Sequence, residues 1–223
     1  MKPTNSKKIL ILSGPTYEFI DPVRFIGNRS SGKMGKCLAE VAASLGGLVH
    51  FVSGPVSQSN YPRHPVIRVI DVTSGDEMWE ECLRLYDEAD IIICVAAVSD
   101  YKPKKKMKFK ISKDDESLNL DFVKNVDIAE SLGKIKKDEQ ILIGFALETN
   151  DAKKNAQKKL IQKNMDGIIL NSVDSIGSEN GTFHYLSSSS NDWKEWGSIG
   201  KNECAKKIFK EINALSKLNL VHK

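Results

Sequence analysis

No apolar run in the chain is long enough to cross a bilayer: the most hydrophobic stretch, Ile91 to Val98, falls far short of the roughly 20 residues a membrane helix needs. That excludes a helical membrane protein, and no membrane partner is expected. Cysteine is scarce. Cys37, Cys82, Cys94 and Cys204 form no CxxC pair, so they read as reduced packing thiols of a cytoplasmic protein rather than as disulfides or zinc ligands. Histidine is equally sparse: His50, His64, His184 and His222 lie far apart, and neither a Ser/His/Asp nor a Cys/His arrangement is evident. Charge of one sign is also lacking, since 33 Lys and Arg against 29 Asp and Glu leave +4, too slight to announce a nucleic-acid binder. The start, MKPTNSKK before a short ILIL run, fails as a signal peptide and reads as a tail entering a first strand.

With 40% hydrophobic and 28% charged residues over 223 positions, the composition is that of one globular domain spanning 1–223. Short β-rich runs alternate with helical patterns, so the class is α/β: a mostly parallel sheet with helices on its faces. Strands are expected at Lys8–Leu12, Leu48–Val52, Val66–Val69, Ile91–Val98, Ile141–Phe145 and Ile168–Leu170, with Ile91–Val98 central. A first helix, capped by Ser30 or Ser31, carries Met34, Leu38, Val41, Ala42 and Leu45 at helical spacing and stops at Gly46-Gly47. Further helices are expected over Gly75–Glu88, Asp127–Leu132, Asp151–Lys163 and Lys201–Leu218. Phe109, Ile111, Leu118, Leu120 and Phe122 suggest two short strands around a polar turn at 113–117, an inserted hairpin flap over about residues 101–122. Gly181–Leu186 and a turn holding Trp193 and Trp196 suggest an antiparallel finish.

Between Gly14-Pro15-Thr16 and the first helix runs a loop of roughly fifteen residues, placed where open α/β sheets bind ligands. Within it Gly27 to Met34 nearly spells a P-loop, but Met34 replaces the magnesium-holding hydroxyl and the strand ends well before Gly27. An anion at the helix N-terminus still fits, because free amides and the helix dipole favour one; the alternative is a plain polar loop. Tyr101-Lys102-Pro103-Lys104-Lys105 has the YxxxK spacing of short-chain reductases, yet Pro103 prevents the helical turn that would stack Tyr on Lys. Without GxGxxG either, a nicotinamide site has little support. Seven lysines fall between Lys102 and Lys113 and alternate with Met107, Phe109 and Ile111, giving a flap with a cationic and an apolar side. A solvated face is the usual reading of such a run, and a cover for a polyanion is the functional one. Nucleic acid is disfavoured by the few aromatics available for base stacking. Polar residues also follow later strands: Asp100, and Glu148, Thr149 and Asn150.

Several stretches in order resemble one family: Gly14-Pro15-Thr16, Asp21 to Ile26, Asn28 to Gly35 without Arg29, Val52 to Pro55, Ala96 to Asp100, Lys110-Ile111, Val123 to Asn125 with Asp127-Ile128, Gly144 to Ala146 with Glu148 to Asn150, and Lys159 to Asn164. They are similar to phosphopantothenate–cysteine ligase, also called phosphopantothenoylcysteine synthetase, of coenzyme A biosynthesis. The resemblance implies a Rossmann-like fold and a two-step reaction. A nucleotide, CTP in most bacterial members and ATP in eukaryotic ones, activates the carboxylate of 4'-phosphopantothenate as an acyl-nucleotide. The amine of cysteine then displaces the nucleoside monophosphate. It further implies Mg2+ with the triphosphate, no flavin in this domain, a homodimer, and a decarboxylase supplied as a separate protein.

The resemblance also implies residue roles. Lys110 neutralises phosphates, helped by Lys159 and Lys163; Asn28 holds the acyl carbonyl; Arg24 orders its loop or grips substrate. Cys94, Val95, Ala96 and Ala97 offer backbone to the nucleotide, Asp100 bonds its ribose or base, and Val126, Asp127, Ile128, Ala129 and Phe145 enclose the base. Gly14, Ser30, Ser31, Gly32 and Lys33 lie near the substrate, and no residue is expected as a metal ligand. Gly27, Arg29 and Tyr101 depart from the commonest bacterial pattern, and Val126 stands where Pro is frequent.

Overall fold

The computed structural model describes residues 6–112 and 117–221, with side chains as far as residue 216. The expected tail at 1–5 and most of the flap turn at 113–117 lie outside the described residues. In chain order the strands are β1 (Lys8–Ser13), β2 (Tyr17–Phe19), β3 (Phe25–Gly27), β4 (Leu48–Ser53), β5 (Ile67–Asp71), β6 (Ile91–Cys94), β7 (Tyr101–Pro103), β8 (Phe122–Lys124), β9 (Ile141–Leu147), β10 (Gly167–Asn171), β11 (Asn180–Ser187) and β12 (Lys194–Gly200). The helices are α1 (Lys33–Ser44), α2 (Gly75–Leu85), α3 (Ile128–Ile135), α4 (Ala152–Gln162) and α5 (Lys201–Val221).

Eight strands form one sheet in the order β12-β11-β10-β9-β6-β1-β4-β5. From β5 to β10 all neighbours are parallel, and β11 runs antiparallel to both β10 and β12. β1 and its parallel neighbours are apolar on both faces because helices cover both. Ile9 and Ile11 of β1 join a core with α1 and α5, whereas Leu10 and Leu12 join a second core with α2, α3 and α4. The strand period of two thus divides one hydrophobic run between two helical layers. This is the Rossmann-like arrangement, and the chain order reverses between β1 and β6.

Several local expectations need correction. The strand expected over Ile91–Val98 ends at Cys94, because residues 95–98 leave the sheet at the reversal; Ala97 N donates to Gly14 O at 2.9 Å instead. The long loop after β1 folds into the hairpin β2–β3, held by Tyr17 stacked on Phe25 with centroids 3.8 Å apart. In the flap the ladder forms only at the base, Tyr101–Pro103 against Phe122–Lys124, so Phe109, Ile111, Leu118 and Leu120 are not in strands. Phe109 is 82% exposed, with no facing strand among the described residues to cover it. Neither Ser30 nor Ser31 stands at the N-cap of α1: Gly32, at φ 75, does, and Ser31 Oγ accepts from Lys33 N only at 3.5 Å. Leu45 and Leu83 lie outside the cores, exposed at the end of α1 and on the outer side of α2. Trp196 sits in β12, not in a turn, and stacks on Tyr185 at 5.6 Å.

α1 lies so close to β1 that a Cβ on Gly35 would stand 2.0 Å from Ser13 Oγ and 2.5 Å from Ser13 Cβ. Overpacking of this kind forces backbone to shift. Gly35→Ala is therefore expected to lower unfolding free energy by about 2 kcal/mol, measured by urea titration.

Candidate functional site at the carboxyl edge of the sheet

Gly14 turns the chain out of β1 at φ 80, and a Cβ there would meet Gly54 O at 3.0 Å. Glycine is needed at this position for the close approach of two loops, and Gly14 lines neither of the cavities that open beside it. The first cavity, about 520 Å³, is walled by Cys94, Asp100, Val126, Asp127, Ile128, Ala129 and Lys163. The second, about 440 Å³, is walled by Asn28, Ser30, Ser31, Gly32, Lys33, Val95 and Ala97. Ala96, Val98, Phe145 and Lys159 line both, so the two adjoin at the reversal point. Each is of ordinary ligand-binding size, and together they suit a molecule with two parts.

Cations dominate the walls, and two of them are held by acids. Lys159 Nζ lies 2.6 Å from Glu148 Oε1, and Lys163 Nζ lies 2.6 Å from Asp127 Oδ2. Asp127 also caps α3 by accepting from Glu130 N at 3.0 Å. Burial tends to raise the Asp127 carboxyl, but the Lys163 ammonium and the Glu130 amide outweigh it and hold the group below its usual range. Burial pushes the Cys94 thiol up to about 12, which makes it a neutral wall residue and not a nucleophile.

Asn28 projects from the loop after β3, and its Nδ2 donates to Val98 O at 3.0 Å and Ala97 O at 3.4 Å. α1 starts without a side-chain cap, which leaves its first-turn amides facing the second cavity. Ser13 Oγ is buried in that cavity's wall with no hydrogen-bond partner. Lys33 reaches across to Gly177 O at 3.0 Å and pairs with Glu179.

Lys201 lines the second cavity too, and the sequence reading missed it. Its ammonium is buried and donates to Ser175 O at 2.8 Å and to Ser178 O. Burial and the nearby Lys33 lower its pKa, partly offset by Glu179. The available signal was a lysine opening the closing helix, where the helix dipole disfavours a cation.

Besides Gly14, two expected site residues lie elsewhere. Lys110 is exposed, lines neither cavity and pairs with none of the described residues. Arg24 also lies outside both cavities: Nη1 pairs with Asp21 Oδ2 at 2.6 Å and donates to Ile111 O at 3.4 Å. Of its two expected roles the geometry favours ordering the loop, because Ile111 N donates to the same Asp21 Oδ2 at 3.1 Å. Met107 N adds a bond to Ile20 O at 2.8 Å, so the flap rests on the β2–β3 hairpin. Among the described residues no group of three or more His, Cys, Asp or Glu is placed to hold a metal ion.

A family model described as the DNA/pantothenate metabolism flavoprotein C-terminal domain matches residues 4–215. The chain belongs to that family. The coenzyme A biosynthesis bifunctional protein CoaBC of Bacillus subtilis strain 168 is 42% identical over 218 residues, which cover 96% of this chain and 53% of that protein. The chain thus spans about half the length of the curated relatives it matches. A crystal structure of the C-terminal domain of a coenzyme A biosynthesis bifunctional protein CoaBC has a TM-score of 0.81 at 36% identity, covering 97% of this chain and 99% of that one. The DNA/pantothenate metabolism flavoprotein from Streptococcus pneumoniae gives 0.80 at 27% identity, covering 94% and 100%. In this C-terminal-domain member, no helix among the described residues is long and apolar enough to cross a membrane.

Asp21 supplies a test of how the flap is anchored. Burial would raise its carboxyl, but the amides of Val23, Ile111 and Arg24 and the Arg24 guanidinium hold it well below its ordinary 3.8. A depressed folded pKa contributes stability that is complete above the unfolded value and lost as pH falls through the folded one. Wild type should therefore lose stability from about pH 4 downward, and Asp21→Asn should show a shallower acid limb in denaturant titrations at stepped pH.

Proposed function

We propose that the domain is a phosphopantothenate–cysteine ligase, joining 4'-phosphopantothenate to L-cysteine through an acyl-cytidylate with CTP as co-substrate. The observation that carries this reading is the pair of adjoining cavities sharing Lys159 at the sheet reversal, one lysine-rich and one facing the uncapped start of α1. Membership of a pantothenate-metabolism family, and relatives named for coenzyme A biosynthesis, support the same chemistry.

In the first step a carboxylate oxygen of phosphopantothenate attacks the α-phosphorus of CTP, and the bond to the β-phosphate oxygen breaks to release pyrophosphate. In the second, the neutral amine of cysteine attacks the acyl carbon; cytidine monophosphate leaves with its oxygen, and the ammonium proton passes to solvent. Bringing a carboxylate to a triphosphate concentrates negative charge, so fixed cations and backbone donors must offset it. Lys159 and Lys163 exchange Glu148 and Asp127 for phosphate oxygens at small cost, since both pairs are partly solvated. The Asn28 Nδ2 proton held weakly by Ala97 O turns to the acyl carbonyl, while the bond to Val98 O keeps the amide in place. Phe145 and the wall Val126–Ala129 enclose the base, with Asp100 at the ribose or base edge. The phosphate of phosphopantothenate sits at the start of α1, where Ser13 Oγ lacks a partner and the amide of Lys33 makes only a long bond of 3.5 Å to Ser31 Oγ. Mg2+ brought with the triphosphate would offset its charge, and water can complete its coordination without a ligand from the protein.

Lys110 meets the nucleotide once the flap folds over a cavity. Val23, Phe25, Ile26 and Phe109 are exposed beside it, and we assign this apolar face to a second copy of the chain. A homodimer follows: light scattering at micromolar concentration should give twice the 24.8 kDa chain mass, and an active monomer would contradict the assignment.

Pyrophosphate release on mixing phosphopantothenate with CTP or ATP, with cysteine added afterwards, tests the reaction. CTP should give release and then a new amide, and no release with either nucleotide would refute the reading. Asn28→Ala should slow amide formation about a hundredfold and let acyl-cytidylate accumulate, whereas Lys110→Gln should cut pyrophosphate release by a similar factor.

A further inference from the structure

Glu18 of β2 is buried, with 4% of its surface exposed, and both groups it accepts from are neutral: Gly75 N at 3.0 Å and Asn125 Nδ2 at 3.0 Å. The first bond places it at the N-terminus of α2, where a negative charge is favourable. The second has a directional consequence. The oxygen that accepts from Asn125 is the one that accepts from Gly75 N, Oε1, so it fixes which end of the Asn125 amide faces it. Nδ2 turns to Glu18, and Oδ1 therefore turns the other way, where it accepts from Val126 N at 2.9 Å. Flipping the amide would set oxygen against carboxylate at one end and donor against donor at the other. The cluster is also crowded: a Cβ on Gly75 would stand 2.8 Å from Asn125 Nδ2 and 3.2 Å from both Glu18 Oε1 and Val98 Cγ1. Asn125 N donates in turn to Asp100 O at 2.8 Å, which ties the turn before α3 to the segment leaving β6.

Asn125, Val126 and Asp100 all line the first cavity. A free backbone N–H in such a wall is a donor for any ring nitrogen or carbonyl of a base, whether pyrimidine or purine. We infer that Glu18 and Asn125 are positioning residues that withhold the Val126 N–H from the bound nucleotide and thereby sharpen the cavity's choice of base. The inference rests on the reading of Val126–Ala129 as the base pocket. Neither Glu18 nor the Asn125 side chain need touch the nucleotide: the carboxylate orients the amide, and the amide consumes the donor.

The test is a mutant cycle on base selectivity, the ratio of kcat/KM for CTP to that for ATP. It uses Asn125→Ala in the natural chain and in a chain already carrying Val126→Pro, which has no N–H at that position to release. Asn125→Ala should move the ratio toward unity by about tenfold in the natural chain and by less than about twofold beside Val126→Pro. A change of equal size in both backgrounds would overturn the inference, because loss of packing acts whatever residue stands at 126. A ratio unmoved by Asn125→Ala in an active enzyme would overturn it too, and would leave the ligase reading standing. A wild-type chain that turns over neither nucleotide would overturn the ligase reading and the selectivity role with it. Hydrogen exchange on the wild-type protein needs no variant: the Val126 amide should be protected about a hundredfold or more, and exchange at the rate of an open loop would refute the bond itself.

Discussion

The structure depends on how two parallel neighbours part company. β1 and β6 run side by side, and the segments leaving them must satisfy their own backbone groups once the sheet has ended. They do so by staying together a little longer: Val95 N donates to Leu12 O at 3.0 Å and Ala97 N to Gly14 O at 2.9 Å. On the other side a Cβ on Gly54 would lie 1.7 Å from Pro15 O, so the loop after β4 is pressed against the same strand end. Held on both sides, the exit from β1 separates two spaces instead of filling one. Both cavities open there, and Asn28 hangs its amide on the carbonyls of Ala97 and Val98. The position of Asn28 is thus inherited from a sheet-end hydrogen-bond pattern.

The charges follow a different logic. Four of the cations around the cavities are paired with acids or with carbonyls: Lys159 with Glu148, Lys163 with Asp127, Lys33 with Glu179, and Lys201 with Ser175 and Ser178. A buried bare cation would be costly, and a fully buried ion pair would be hard to open. Pairs that stay partly solvated avoid both penalties, because each is worth roughly 0–1 kcal/mol and yields readily to a polyvalent anion. Lys201 is the exception. It is buried and bonded to main-chain carbonyls, so it holds the 175–178 turn in place as one wall of the second cavity rather than waiting for a ligand.

Much of this was legible in the residue pattern, and the failures share a cause. The apolar runs of β1, β4, β6 and β9 and the spacing of α1, α2 and α4 are local signals amplified by burial, and the sheet and its helices follow from them. The flap was misread because alternating Phe109 and Ile111 imitate a strand, whereas the chain spends those residues on the Asp21 and Arg24 anchor and on an exposed face. Ile91–Val98 was drawn too long because apolar content does not reveal where a neighbouring strand stops. At the site, residues carried by a contiguous motif, such as Asn28 to Lys33 or Val126 to Ala129, fall on the cavity walls. Lys201 and Glu18 act through contacts distant in sequence, and no spacing announces them.

The groups around the cavities also limit the kind of catalysis available. Cys94 is held neutral, and the amide of Asn28 does not titrate. For the reaction proposed, the driving force must then come from the nucleotide, which turns a poor leaving oxygen into a phosphate ester, and from donors fixed in advance around the charge that develops. A neutral amide can polarise an acyl carbonyl without binding the ground-state carboxylate as tightly as an ammonium would. It therefore favours the second step without trapping the first reactant, and places the selective interaction where charge appears only in the transition state. In that proposal lysines serve the phosphates, whose charge is present throughout. The division between cationic first cavity and amide-lined junction matches a reaction in which one partner stays charged and the other becomes so.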